Sequence, residues 1–182
     1  MNPPALNRRK FLLHLARISS AAALAAPANA LAAISAPRRL NFLHTHTREK
    51  LDVVYYADGQ YLPEARTAIT QFLRDHRTDE AHPIDPALFD ILHEVSRLGE
   101  GNRCFEVISG YRSPATNNRL RRHSRGVARN SLHMQGKAID VRLQGVNTRT
   151  LRQLAIALRQ GGVGYYRSSD FVHLDTGKFR TW

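Results

Sequence analysis

The stretch Ser131-Leu-His-Met-Gln-Gly-Lys-Ala-Ile-Asp-Val141 decides how the rest of the chain is read. His133 and Asp140 stand seven residues apart in it, with Gly136 and Ala138 between them. A helix brings two side chains to one face at spacings of three or four, which this is not. The order predicts a loop that delivers His133, a close turn at Gly136, and a strand carrying Asp140. Imidazole and carboxylate are both good zinc ligands. A catalytic zinc centre takes three protein ligands and keeps one position open for water. Near the end of the chain, Asp170-Phe-Val-His173-Leu-Asp175 supplies the third candidate, His173.

Around this stretch the chain reads as support. Leu40 to Thr45 and Leu51 to Tyr56 have strand-type content around the polar turn Thr47-Arg-Glu-Lys50, which predicts a hairpin closed by Asp58-Gly59. Pro63 opens a helix with apolar residues at Ala65, Ala68, Ile69, Phe72 and Leu73, and Asp85-Pro86 opens another that stops near Gly99. Val107-Ile-Ser109 predicts a central strand running out at Gly110-Tyr-Arg112-Ser-Pro114. The fork of donors on Arg112 suits a carboxylate or a carbonyl gaining negative charge; a surface ion pair is the plainer reading. A short basic helix is predicted from Thr116 to Arg122, then a loop from Ser124 to Asn130. Arg119, Arg121, Arg122, Arg125 and Arg129 form either a solvated face or a salt-screened lure for an acidic partner. Asn147-Thr148 caps a last helix running to Gly161-Gly162. Val163 to Tyr166 and Phe171 to Leu174 then read as adjacent strands joined by Arg167-Ser-Ser169, which returns His173 towards Asp140.

Other metal-type residues read as scaffold. His44 and His46 form a His-x-His pair without a third ligand nearby in the sequence, and His76, His82, His93 and His123 are assigned no ligand role. Cys104 is the only cysteine, so no intramolecular disulfide can form, and it is expected to be a buried, inert thiol.

The first thirty residues read as an export signal. Asn7-Arg-Arg-Lys-Phe-Leu12 is a twin-arginine signature, followed by an alanine-rich apolar run to Ala33 that Arg17 interrupts, and Ala28-Asn-Ala30 fits a cleavage site. No cysteine follows the run, so no lipid anchor is expected. Residues 31–182 then form one domain, and the expected location is the periplasm, reached through the twin-arginine export machinery. Four of the 27 basic residues and none of the 15 acids lie in residues 1–30, which leaves the mature chain at +8. Such a charge suits an anionic partner; export argues against nucleic acid.

Ser-x-His-x-x-Gly-x-Ala-x-Asp followed by Asp-x-x-His resembles the zinc D-Ala-D-Ala peptidase family, whose fold is shared with the hedgehog signalling domain. The fuller run, from Ser109-Gly-Tyr-Arg-Ser-Pro114 through Ser131 to His173, looks closer still to its murein endopeptidase K branch. The likeness extends from about residue 40 to the C-terminus and is densest between Ile108 and Thr176. It implies a single α+β domain, a small antiparallel sheet with flanking helices. It also implies a zinc metallopeptidase with one Zn2+ on His133, Asp140 and His173, acting on the stem peptides of peptidoglycan. Asp170 matches the family's acidic position and would be the general base. Asp175 is the rival base, or a residue that orients a ligand. Arg112 would bind substrate or stabilise the oxyanion, and Ser131 would contact substrate or cap its turn. The implied bonds are D-Ala–diaminopimelate or diaminopimelate–diaminopimelate cross-links. A D,D-carboxypeptidase and a non-catalytic peptidoglycan-binding protein with structural zinc are the alternatives.

Overall fold

The computed structural model describes residues 36–101, 103–124 and 126–182, so the expected leader at 1–30 lies outside the described residues. The predicted hairpin is formed by β1 (Arg38–His44) and β2 (Lys50–Ala57), paired antiparallel. Alternation sets its faces, with Leu40, Phe42 and His44 of β1 turned inward. After the turn at Asp58-Gly59 comes the short β3 (Gln60–Tyr61). Helices α1 (Pro63–Phe72) and α2 (Pro86–Leu98) both carry proline in the first turn, where a missing N–H leaves no bond unmade. The Asp85 carboxylate accepts from the Ala87 amide at 3.0 Å, a cap of the kind that contributes about 1 kcal/mol.

The chain continues through β4 (Cys104–Ser109), α3 (Pro114–His123), β5 (Ala138–Leu143), α4 (Thr148–Leu158), β6 (Gly162–Tyr166), β7 (Phe171–Asp175) and β8 (Arg180–Thr181). All strands join one eight-stranded sheet in the order β3-β2-β1-β4-β5-β7-β6-β8. The α+β class agrees with expectation, but the sheet is larger than expected and mixed. β1 pairs β4 in parallel, and β6 pairs β8 in parallel. The first parallel pair follows from connectivity: α1 and α2 lie between β1–β3 and β4, and that crossover brings β4 back in the direction of β1.

Helix α1 packs on β2, α2 on β1, and α4 on β5, β6 and β7 as well as on α2. Their apolar stripes and the inward residues of the strands make one core, with Phe42, Tyr55, Phe89, Phe105, Ile139 and Leu151 almost fully buried. Helix α4 ends earlier than expected, at Leu158, because Arg159 adopts a left-handed conformation (φ 53°) that stops it. None of the described helices is long and apolar enough to cross a membrane.

Candidate metal centre

The central strands position the site. Ile139 and Val141 of β5, and Val172 and Leu174 of β7, point into the core, so period-two alternation sends Asp140 and His173 to the opposite face. In the antiparallel ladder Asp140 lies directly across from His173. His133 comes from a 3-10 turn, Leu132–Gln135, whose start is capped by the Ser131 hydroxyl accepting from the His133 amide at 3.3 Å. Gly136 ends the turn at φ 65°, and a Cβ there would come within 2.1 Å of the Pro83 carbonyl oxygen. Only glycine fits at this bend.

Three ligand atoms converge on the site. His133 Nε2 lies 3.2 Å from Asp140 Oδ1 and 3.1 Å from His173 Nδ1, and His173 Nδ1 lies 2.8 Å from the same oxygen. All three side chains are buried. Among the described residues, no other set of three or more His, Cys, Asp or Glu brings its ligand atoms together within 4.8 Å. The outer ring nitrogens are also held. His133 Nδ1 is 2.7 Å from the Gly110 carbonyl oxygen, and His173 Nε2 is 3.1 Å from Asp175 Oδ2. Each acceptor fixes a proton on the outer nitrogen and turns the lone pair of the inner nitrogen inward. Two lone pairs and a carboxylate oxygen then face one another, a donor set that a divalent cation satisfies and that fits zinc.

The charges fall into the same pattern. Burial pushes the His133 imidazole down. Burial alone would raise the Asp140 carboxyl, but His133 and His173 hold it well below the usual carboxylate range. Burial would lower His173, yet the hydrogen bonds to Asp140 and Asp175 outweigh it and raise the imidazole to about 9. Two carboxylates face the two imidazoles, and each carboxylate is also partnered by a guanidinium, Asp140 by Arg112 and Asp175 by Arg180.

Asp175 is fully buried and saturated. Against a burial effect that would raise it, His173, Arg180 and the amides of Gly177 and Gly162 keep it ionised. Arg180 grips both its oxygens, at 3.1 and 2.7 Å, and the Gly162 and Gly177 amides donate at 3.0 and 2.8 Å. A Cβ on Gly162 would stand 2.4 Å from Asp175 Oδ2 and one on Gly161 would strike the Asp175 backbone carbonyl, so the Gly161-Gly162 pair leaves room for Asp175 instead of ending α4.

Arg112 follows a bulge between Val107 and Ser109 at the end of β4, an irregularity of the sort that re-aims a strand end beside a site. Its guanidinium is buried, donating to Asp140 Oδ2 and to Asn117 Oδ1 at 3.4 Å each, and its Nε is buried without a partner. Sequence reading missed the support beneath it. The buried Asp75 carboxylate accepts from the Ser113 amide at 2.9 Å and so pins the start of α3. Asp75 sits between Arg74 and His76 in a run of polar residues, where local sequence reads as solvated surface.

The metal-type residues floor an open cleft of about 440 Å3. Arg112, Ser131 and the loop from Gly126 to Asn130 line one side; Tyr166, Phe171, Arg180 and Trp182 line the other. Asp170 does not join them. It sits in a left-handed conformation (φ 51°) after the 3-10 turn Arg167–Ser169. Its carboxylate, 64% exposed, accepts from Thr148 Oγ1 at 2.7 Å and lies 3.4 Å from Arg142 Nε. Its neighbours Ser169 and Phe171 do line the cleft. Tyr166, Arg180 and Trp182 escaped sequence reading because no spacing rule links them to His133.

Two smaller expectations change. His44 and His46 do have a third histidine beside them: His76 stacks on His46 with ring centroids 4.2 Å apart. Cys104 is half-buried, not fully buried, though burial and Glu106 still push its thiol up, which fits an inert sulfur.

Comparison with known proteins places this geometry. Residues 32–182 match the family model described as peptidoglycan L,D-endopeptidase MepK. The chain is 40% identical over 176 residues to the peptidoglycan L,D-endopeptidase MepK of Escherichia coli (strain K12), covering 97% of both chains. It is 43% identical over 159 residues to a protein of Haemophilus influenzae described as a probable peptidoglycan L,D-endopeptidase MepK, covering 86% of each. With a match across the whole described domain and identity at this level, the chain belongs to the peptidoglycan L,D-endopeptidase MepK family.

Proposed function

We propose that this chain is a zinc-dependent endopeptidase of the periplasm that hydrolyses peptide cross-links of peptidoglycan. The observation that carries the reading is the buried convergence of His133 Nε2, Asp140 Oδ1 and His173 Nδ1 at the floor of a cleft that also holds Arg112. The L,D designation of the relatives favours one of the two cross-links over the other. In a diaminopimelate–diaminopimelate bond the carbonyl comes from an L centre and the nitrogen from a D centre. The D-Ala–diaminopimelate bond joins two D centres.

His133, Asp140 and His173 would hold the zinc, which when bound polarises the scissile carbonyl and acidifies the attacking water. Asp175 and the Gly110 carbonyl keep the two imidazoles in the tautomers that ligation needs. Arg112 receives the negative charge that develops on the carbonyl oxygen, or a carboxylate of the stem peptide. Ser131 caps the turn that carries His133, and its place in the cleft makes it a substrate contact as well. Peptide cleavage also needs a base that takes the water's proton and passes it to the leaving amine. Asp140 is taken up in ligation and Asp175 has both oxygens engaged, so the role is assigned to Asp170. That carboxylate, at the rim, must turn from Thr148 and Arg142 towards the cleft. The twin-arginine leader delivers the chain to its substrate, and the +8 charge of residues 31–182 suits the carboxylates of the stem peptides.

The test is digestion of purified sacculi by the mature chain, with and without a chelator, reading the muropeptides by chromatography and mass spectrometry. The expected result is zinc-dependent conversion of diaminopimelate-linked dimers to monomers, lost in His133→Ala. Asp170→Asn should lower turnover by about 10²–10⁴-fold, the range for a general base, while the zinc stays bound. Release of terminal D-Ala alone would make the chain a carboxypeptidase. Binding to sacculi without cleavage under any metal condition would make it a binding protein.

A further inference from the structure

Trp182 is the only tryptophan in the sequence, and its setting is unlike that of a core residue. It is 46% exposed and lines the cleft, whereas the other exposed large apolar side chains among the described residues, Leu98 and Phe179, do not. Its backbone is fixed on the edge of β6, donating to the Val163 carbonyl at 3.2 Å and accepting from the Tyr165 amide at 2.9 Å. The indole is fixed as well. Its Nε1 donates to Tyr166 Oη at 3.2 Å, and the Arg180 guanidinium lies 5.0 Å from its ring centre. Opposite Gly164 there is space for it: a Cβ there would stand 2.6 Å from the indole carbons. The ring centre is 5.3 Å from that of His173. Tyr166 stacks on Phe171 with centroids 4.6 Å apart, which extends the aromatic wall along the same side.

A ring pinned from several sides and left half open to a cleft has already lost its conformational freedom, so burying its free face against a ligand costs little further entropy. A ring serving only to shield His173 would have no reason to keep that face bare. The cleft also combines aromatic rings with the guanidiniums of Arg112 and Arg180, the latter already paired with Asp175. A ligand that fits both carries a short aliphatic chain and a carboxylate.

We propose that Trp182 is a substrate-contacting residue whose indole packs on the methylene chain of the diamino-dicarboxylic residue flanking the scissile bond. The proposal rests on the functional reading above and adds to it the residue that selects the side chain. An interaction made equally in the ground and transition states sets KM and leaves kcat nearly alone.

The test uses the zinc-loaded full chain in two arms. In the first, wild type, Trp182→Ala and Trp182→Phe cleave a soluble diaminopimelate-linked tetrapeptide dimer while bound zinc is measured. The expected result is a KM raised about tenfold or more in Trp182→Ala, a kcat within about threefold, unchanged zinc, and recovery of most of the KM in Trp182→Phe. An unchanged KM would overturn the proposal, as would a fall in kcat that tracks lost zinc, because the ring would then only be propping His173. In the second arm, wild-type emission is titrated with the un-cross-linked stem tetrapeptide, which holds no cross-link to cut. With a single tryptophan, all indole emission reports on position 182. A saturable blue shift is expected, and no shift at saturating peptide would overturn the proposal. The arms separate the two readings: a shift without any cleavage of the dimer would sink the peptidase and keep the contact. Cleavage with neither a shift nor a KM effect would do the reverse.

Discussion

Among the described residues two histidine clusters stand out, and only one brings three possible metal ligands together. At the cleft floor, His133 and His173 each give an outer nitrogen to a protein acceptor and turn the inner one towards Asp140. At the hairpin end, His44, His46 and His76 lie as close ring to ring, with centroids 4.2 to 5.9 Å apart. There His44 Nδ1 already accepts from the amides of His46 and Thr47, and its Nε2 is buried without a partner. Burial, the neighbouring histidines and Arg77 lower both His44 and His76 to about 4. The first cluster sets carboxylates beside its rings, whereas in the second burial keeps His44 and His76 neutral. Counting histidines does not separate them; following where each ring nitrogen points does.

The largest expected effect breaks that contrast directly. His133→Ala should remove the stoichiometric zinc and cut cleavage by about 10³-fold or more, whereas His46→Ala should leave both within about twofold. Elemental analysis beside the muropeptide assay reads both. Zinc retained in His133→Ala would show that the cleft triad is not the centre.

Next comes the carboxylate behind the ligand. Asp175→Asn keeps the shape and one acceptor oxygen but loses the negative charge that faces His173 and Arg180, so zinc affinity should fall about 10–100-fold, measured by competition with a chelator of known strength. Arg180→Ala should act in the same direction and more weakly, since the two glycine amides still hold Asp175. An unchanged affinity in Asp175→Asn would mean that the charge on Asp175 adds nothing to ligation by His173.

His44 makes an acid-side prediction. His44 has a folded pKa near 4, below its unfolded value of about 6.5. Between those values the unfolded chain binds more protons, so stability is complete above about pH 6.5 and is lost as pH falls towards 4. The buried His44 should contribute up to about 1.4 kcal/mol per pH unit in that window. Chemical unfolding of wild type and His44→Leu across the window checks this. The variant should show the shallower dependence, and equal slopes would contradict the buried neutral assignment. The smallest effect expected is that of Cys104→Ser, within about 1 kcal/mol of stability and without change in cleavage, because that half-buried thiol takes no part in either cluster.

Much of this was legible in the chain. The hairpin, the proline-started helices and the turn at Gly136 follow from local rules, and so does the alternation that gives Asp140 and His173 the opposite face from Ile139 and Leu174. Because β5 and β7 are nearest neighbours in the sheet, reading Phe171 to Leu174 as a strand was enough to return His173 to Asp140. Asp170 was harder to place. The motif singles it out, but the backbone turns its carboxylate to Thr148 and Arg142.

The sequence by itself determined the elements and the residues that meet at the cleft floor, because periodicity, capping and turn chemistry act over a few positions. Tertiary structure alone decided the parallel pairings of β1 with β4 and β6 with β8, the saturation of Asp175 by Arg180 and two backbone amides, and the seat of Trp182 beside His173. Those depend on register between segments far apart along the chain. No local propensity encodes them; the packing of the whole sheet does.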